Sequence, residues 1–280
     1  MSFNQHVIDE FRANEGRVGG PFQDARLLLL TTVGARTGQR HTTPVGYLQN
    51  GDGRLLIIAS AAGSPRHPDW YINLLANPHV TCETGPFVFE ASAERLAGPE
   101  RDEAFERACE HDPGWADYQA STTRVIPVVA LTPLSGGPAT DSWSESLVLV
   151  HNAFRRELAL IRKEFTEAGP RLGAQLRINC LALCQGLHGH HIMEDNGIYP
   201  LIDANRPELA DAMTRLRAEH SALAKLLEEL QAFISRANAD PVAARAEVDR
   251  LSAAVEAHLD YEEQQLLPVL SAGIHLHRST

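Results

Sequence analysis

The hydrophobic positions of the chain change their period part-way along it. Before residue 133 the apolar residues come in short runs, at 27–32, 55–59, 80–83, 88–91 and 125–131, each bounded by glycine or proline turns. Runs of that length, rich in Leu, Ile and Val, predict β-strands. Helical spacing intervenes near 70–76 and 100–110. The expected architecture of this half is α+β, built around one sheet or barrel. After residue 146 the pattern becomes helical throughout, with apolar faces over 144–168, 172–204, 207–237 and 242–271 separated by Gly-Pro, Arg-Pro and Asp-Pro breaks. Four long amphipathic segments with short connections predict an all-α, up-down-up-down four-helix bundle. Between the halves, the run from Pro133 to Ser146 mixes Pro, Gly and Ser at a density that breaks both helix and strand. The expected division is therefore a domain over 1–133, a linker over 134–146 and a second domain over 147–272.

Composition narrows the picture. A chain of 280 residues with 44% hydrophobic and 22% charged residues can bury a core in each of two domains. A net charge of -11 argues against a nucleic-acid partner, which calls for a basic surface. The opening residues lack a basic segment followed by an apolar one, so a cytoplasmic location is expected. The longest apolar runs are far too short to cross a bilayer core of about 30 Å as helices. Cys82, Cys109, Cys180 and Cys184 lack the paired spacing of a zinc site and read as ordinary thiols.

The chemistry is concentrated in the histidines of the second half. His190 and Glu194 are four residues apart, as are His258 and Glu262, and in both stretches a proline follows the glutamate at the same interval, at Pro200 and Pro268. Residues four apart share a helix face, so each stretch can offer an imidazole and a carboxylate to one interior point. Distances from the breaks place the four helices in register. His151 and His190 lie about 17 and 18 residues from the first turn, and His220 and His258 lie about 17 and 16 from the third. Four histidines at one level of a bundle, two with a carboxylate one turn away, suit two bridged iron or manganese ions. The second half thereby resembles the hemerythrin-like, HHE cation-binding family over 147–271. The resemblance implies a non-haem centre of two iron ions held by His151, His190, Glu194, His220, His258 and Glu262, reacting with dioxygen, peroxide or nitric oxide. Oxygen-carrying members have a second histidine one turn from the third-helix ligand, where Leu216 and Ala224 flank His220 here. The departure points away from oxygen carriage and towards redox chemistry or sensing, and leaves open whether His188 or His191 completes the shell.

In the first half, residues 31–44 join two strands through glycines with Arg36, Arg40 and His41 at the turn. Backbone amides and guanidinium groups there can hold a phosphate. Residues 59–70 follow another strand with small residues and open a helix, whose N-terminus also suits an anion. These loops, with Asn73-Leu74-Leu75-Ala76-Asn77-Pro78, Tyr118-Gln119 and Thr123-Arg124-Val125-Ile126-Pro127, resemble the deazaflavin-dependent nitroreductase family over 20–133. That resemblance implies a split β-barrel of the flavin-reductase type binding coenzyme F420, with a homodimer as the usual association. Cofactor contacts would fall on Arg36, Arg40, His41 and Ser60, with Pro44, Gly63 and Trp70 shaping the pocket. Tyr118 and Trp115 would stand on the substrate side as catalytic candidates. Ala35-Arg36, Arg40-His41 and Ala61 replace more basic pairs of the family, which keeps FMN open as an alternative cofactor.

The expected function is a two-domain oxidoreductase acting on a small-molecule substrate, with a deazaflavin hydride-transfer site and a diiron site that meets the oxidant. The competing expectation is a diiron sensor or scavenger of oxygen, nitric oxide or iron whose barrel binds FMN or no cofactor.

Overall fold

The computed structural model describes residues 3–168, 171–236 and 238–272. They separate into two units, the first holding 1–139 with the short stretch 173–179, the second 140–172 and the chain from 180 onward.

The first unit is an antiparallel six-stranded closed barrel in the order β1-β2-β3-β6-β5-β4. Its strands are β1 (Leu27–Val33), β2 (Arg40–Gln49), β3 (Leu55–Ile58), β4 (His79–Thr84), β5 (Phe87–Arg95) and β6 (Val128–Pro138). Closure removes the free edges that an open sheet would expose. Alternation along β1 sorts its leucines, since successive side chains point to opposite faces. Leu28 and Leu30 join Ile57, Val129, Leu131 and Trp70 in one apolar cluster. Leu27 and Leu29 pack instead with Val7, Ile8 and Phe11 of the N-terminal helix α1 (Phe3–Ala13). Helix α2 (Asp69–Ala76) contributes Trp70, Tyr71 and Leu74 to the first cluster. Helix α3 (Gly98–His111) covers a third cluster with Ala104, Phe105 and Ala108, and the short helix α4 (Gly114–Ala120) follows it.

Two expectations change here. Residues 40–44, read from the sequence as part of a phosphate loop, belong to β2, where Pro44 lies opposite Leu29 and only 34–39 forms the turn. The Pro/Gly run after residue 132 is strand as far as Pro138, paired with β5 across an irregularity at Glu90/Ala91. A glycine is required at 136, because a Cβ there would sit 2.4 Å from the Val88 carbonyl oxygen.

The second unit contains α5 (Trp143–Glu167), most of α6 (Ala174–Met193), α7 (Tyr199–Asn205), α8 (Ala210–Ile234) and α9 (Pro241–Ser271). Ser142 caps α5 by accepting from the Glu145 amide, and Asp240 caps α9 by accepting from the amides of Val242 and Ala243, each satisfying donors a helix start leaves free. The segment expected as one helix over 172–204 is interrupted by a single π-helical stretch at Glu194–Ile198. Among the described residues no helix is long and apolar enough to cross a membrane.

Candidate metal centre and cofactor loops

All four histidines that the sequence places at one level are buried in the second unit, as are His191, Glu194 and Glu262. Their donor atoms fall into two groups, each with all members within 4.8 Å of one another: His151, His190, Glu194 and Glu262, and His191, His220 and His258. The carboxylates join the groups. Glu194 lies 3.1 Å from His190 Nε2 and 3.6 Å from His220 Nε2. Glu262 lies 3.4 Å from His151 Nε2 and 3.8 Å from His258 Nε2. His188 is exposed and stands outside both groups.

The outer nitrogens of three rings are held by further carboxylates. His151 Nδ1 lies 2.8 Å from Glu263, His220 Nδ1 3.0 Å from Asp195, and His258 Nδ1 2.9 Å from Glu219. Arg155 in turn donates to Glu263 at 2.7 Å. A carboxylate behind an imidazole fixes its tautomer and aims the other nitrogen, the arrangement usual around metal-binding histidines. The inward atoms, by contrast, lack partners: His151 Nε2, both nitrogens of His190, His191 Nε2, both oxygens of Glu194 and Glu262 Oε2. Leaving so many buried polar atoms without hydrogen bonds costs several kcal/mol in all, at roughly 1–3 kcal/mol each. Cations ligated by these nitrogens and oxygens remove that cost, so the residues fit a pair of iron ions.

Electrostatics agree. Burial, reinforced by neighbouring imidazoles, pushes His190 down to about 3 and His191 down to about 2. Both imidazoles are therefore neutral near neutral pH. Burial and then the charge of Glu262 push Glu194 well above the carboxylate range. Burial also opposes ionisation of Glu262, but the nearby His151 and the hydrogen bond from Tyr199 hold it below its ordinary value. Ionising Glu194 as well as Glu262 in this buried setting would need added positive charge, which metal ions supply.

Tyr199 is the functional candidate that sequence reasoning missed. It is fully buried, donates to Glu262 Oε1 at 2.7 Å, and its hydroxyl lies 3.2 Å from His220 Nε2. In a regular α-helix, residues five apart lie on different faces. The π turn, with the Tyr199 amide bonded to the Glu194 carbonyl, brings Tyr199 towards the ligands. The only sequence signal was an aromatic beside Pro200 in a stretch that otherwise copies its partner.

In the first unit the expected cofactor residues sit on two loops, strand β2 and helix α2. Arg36 is on the exposed turn between β1 and β2, and His41 lies close to Gly34 at its base. Asn73 of α2 holds that turn by accepting from the Ala35 amide at 3.0 Å and donating to Thr32 Oγ1 at 3.1 Å. Arg40 donates at 2.8 Å to Thr81, which donates to Glu90, so its guanidinium is engaged over β4 and β5. Ser60 and Gly63 lie on the loop after β3, where Ala61, Ala62 and Gly63 all have left-handed φ of 47°, 49° and 75°. Arg124 closes this loop by donating to the carbonyls of Ala59, Ser60 and Ser64. The Gly63 backbone abuts α4, where a Cβ would come within 3.1 Å of the Tyr118 carbonyl. Trp115 and Tyr118 meet edge to face at 6.0 Å, with Tyr118 exposed. Trp70 is buried in the barrel core.

Comparison with known proteins divides the chain the same way. The F420H(2)-dependent quinone reductase family model matches residues 4–133, and the hemerythrin HHE cation-binding domain model matches 144–270. An F420H(2)-dependent quinone reductase of Mycobacterium tuberculosis is 40% identical over 126 residues, covering 44% of this chain and 84% of that protein. A second M. tuberculosis protein, described as a putative F420H(2)-dependent quinone reductase, is 28% identical over 118 residues, 42% of this chain and 98% of that one. Among solved structures, an F420-H2 dependent reductase is 36% identical, covering 38% of this chain and 93% of that one, with a TM-score of 0.35.

Proposed function

Because the chain belongs to the F420H(2)-dependent quinone reductase family through its first half and carries a hemerythrin HHE domain in its second, we propose that it is a two-site oxidoreductase. In this reading the barrel binds reduced coenzyme F420 and passes a hydride to a quinone-type acceptor. The bundle holds two iron ions through His151, His190, Glu194, His220, His258 and Glu262 and meets dioxygen, peroxide or nitric oxide.

The observation that carries the reading is the convergence of imidazoles and carboxylates whose inward atoms are buried without partners while their outer nitrogens are held by Glu263, Asp195 and Glu219. A structural core would hardly accumulate that many unpartnered polar atoms. The iron pair supplies reversible change of oxidation state. The chain's own residues orient the ligands, keep His190 neutral and bury the donor atoms away from water. On the barrel, the Asn73-held turn and the Arg124-closed loop supply amides and cations for an anionic cofactor. Hydride from the reduced deazaflavin together with one proton converts a quinone to a quinol, and Tyr118 and Trp115 line the substrate side.

The test is a fluorescence titration of oxidised F420 with the purified chain, run beside FMN, together with iron analysis. Saturable F420 binding and about two irons per chain are expected. Binding of FMN in preference to F420 would overturn the hydride-transfer reading of the barrel and favour the sensor class. Iron content unchanged in His190→Ala or His258→Ala would overturn the ligand assignment.

A further inference from the structure

The six proposed ligands divide evenly in the structure. His151 and His190 stand in one group and His220 and His258 in the other, while Glu194 and Glu262 each approach both. A fifth imidazole, His191, lies in the second group. It is only 4% exposed and its Nε2 has no hydrogen-bond partner. We infer that His191 is a metal ligand, completing the half of the centre built on His220 and His258. The inference rests on the two-metal reading of the bundle and goes beyond it in assigning a donor outside the six.

Helix geometry makes the placement natural. Adjacent residues on an α-helix diverge by about 100°, so His190 and His191 address different neighbours. The His190 ring stands edge to face with His151 on α5, their centroids 5.3 Å apart. The His191 ring lies 4.2 Å from that of His220 and 5.2 Å from that of His258. Helix α6 thus feeds one imidazole to each half of the centre. Helix α8 cannot supply the donor itself. One turn before His220 stands Leu216, which is fully buried in an apolar cluster, and one turn after it stands Ala224. An imidazole nitrogen buried without a partner carries a desolvation cost that ligation removes. With His191 counted, the His220 half has three imidazoles and the His151 half two, so the half with fewer protein donors is the one built on His151 and His190.

Simple packing is the competing role, because His191 and His220 are stacked with an interplanar angle of 17°. The experiment separates the two by chemistry. The full-length chain and its His191→Ala and His191→Phe variants are loaded anaerobically with ferrous iron alone. Iron per chain, affinity by chelator competition and Mössbauer spectra are then recorded, with circular dichroism as a check on folding. The phenyl ring keeps the stacking surface without the donor, so His191→Phe remains informative if the alanine variant unfolds. Ligation predicts that both variants bind one of the two ions at least tenfold more weakly and alter one quadrupole doublet. Added imidazole should restore both signals in His191→Ala. Unchanged affinity and spectra in both variants would overturn the assignment of His191 alone. A wild-type chain that takes up no second ion would instead overturn the two-metal reading, and this assignment with it.

Discussion

At the scale of single residues, Tyr199 and the buried imidazoles decide how the centre behaves. Tyr199 spends its hydroxyl on Glu262 Oε1, and its own ionisation is strongly opposed, first by burial and then by Glu262 and Glu194. It therefore acts as a positioning donor. Tyr199→Phe keeps the ring and deletes that bond, and is expected to weaken iron binding roughly 10–100-fold, the usual cost of losing a partner behind a ligand. Chelator competition measures it, and unchanged affinity would reduce Tyr199 to packing. The imidazoles give a pH prediction. An ordinary histidine titrates at 6.5, whereas His190 and His191 are pushed by burial to about 3 and about 2. The unfolded chain then binds more protons than the folded one below 6.5. Their contribution to stability is full above that value and is lost as pH falls towards the folded values. In the metal-free chain, nitrogen-15 histidine spectra should show both rings neutral from pH 7.5 down to 5. A ring titrating near 6 would contradict that burial.

At the scale of elements, the loop after β3 shows how backbone strain serves a site. Left-handed conformations at Ala61 and Ala62, which carry Cβ atoms, cost of order 1–3 kcal/mol each and persist only where surroundings impose them. Arg124 imposes them by gathering three loop carbonyls, and Gly63 permits the close approach of α4. Gly63→Ala would place a Cβ 2.8 Å from that of Ser121 at a φ of 75°. It is expected to lower barrel stability by about 1–3 kcal/mol and to raise the dissociation constant for F420, both measurable by denaturation and fluorescence titration. An unaltered constant would place the loop outside the cofactor site. The same elements show what could be read from sequence. The helix faces were legible because 3.6-residue spacing and proline breaks are local, and the levelling of His151, His190, His220 and His258 followed from counting. The start of strand β2 was not, since Arg40, Thr42, Thr43 and Pro44 lack an apolar run and become strand only by pairing with β1. The strand end through Gly136 and Gly137 was hidden for the same reason. The π turn that delivers Tyr199 leaves no periodic trace in so short a stretch, and Arg124, although part of the stretch 123–127, showed its loop-closing role only through the carbonyls it gathers.

At the scale of the whole molecule the difficulty is electronic. A reduced deazaflavin of this family gives up a hydride, two electrons at once, whereas each iron changes oxidation state by one. Under the proposed reading, direct exchange between the two cofactors would be mismatched. A quinone removes the mismatch by chemistry. It accepts the hydride and a proton to become a quinol, and a quinol releases two electrons singly with two protons, reducing two ferric ions to ferrous. The acceptor of the first site can then serve as the donor of the second without either site touching the other. The full chain, loaded with ferric iron and mixed anaerobically with reduced F420, is expected to keep its ferric absorption until a soluble quinone is added, and then to lose it with one F420 oxidised per two irons reduced. Loss of the ferric band at the same rate without quinone would establish direct transfer. Persistence of the band after quinol has formed would separate the two activities, leaving a reductase and an independent iron site on one chain.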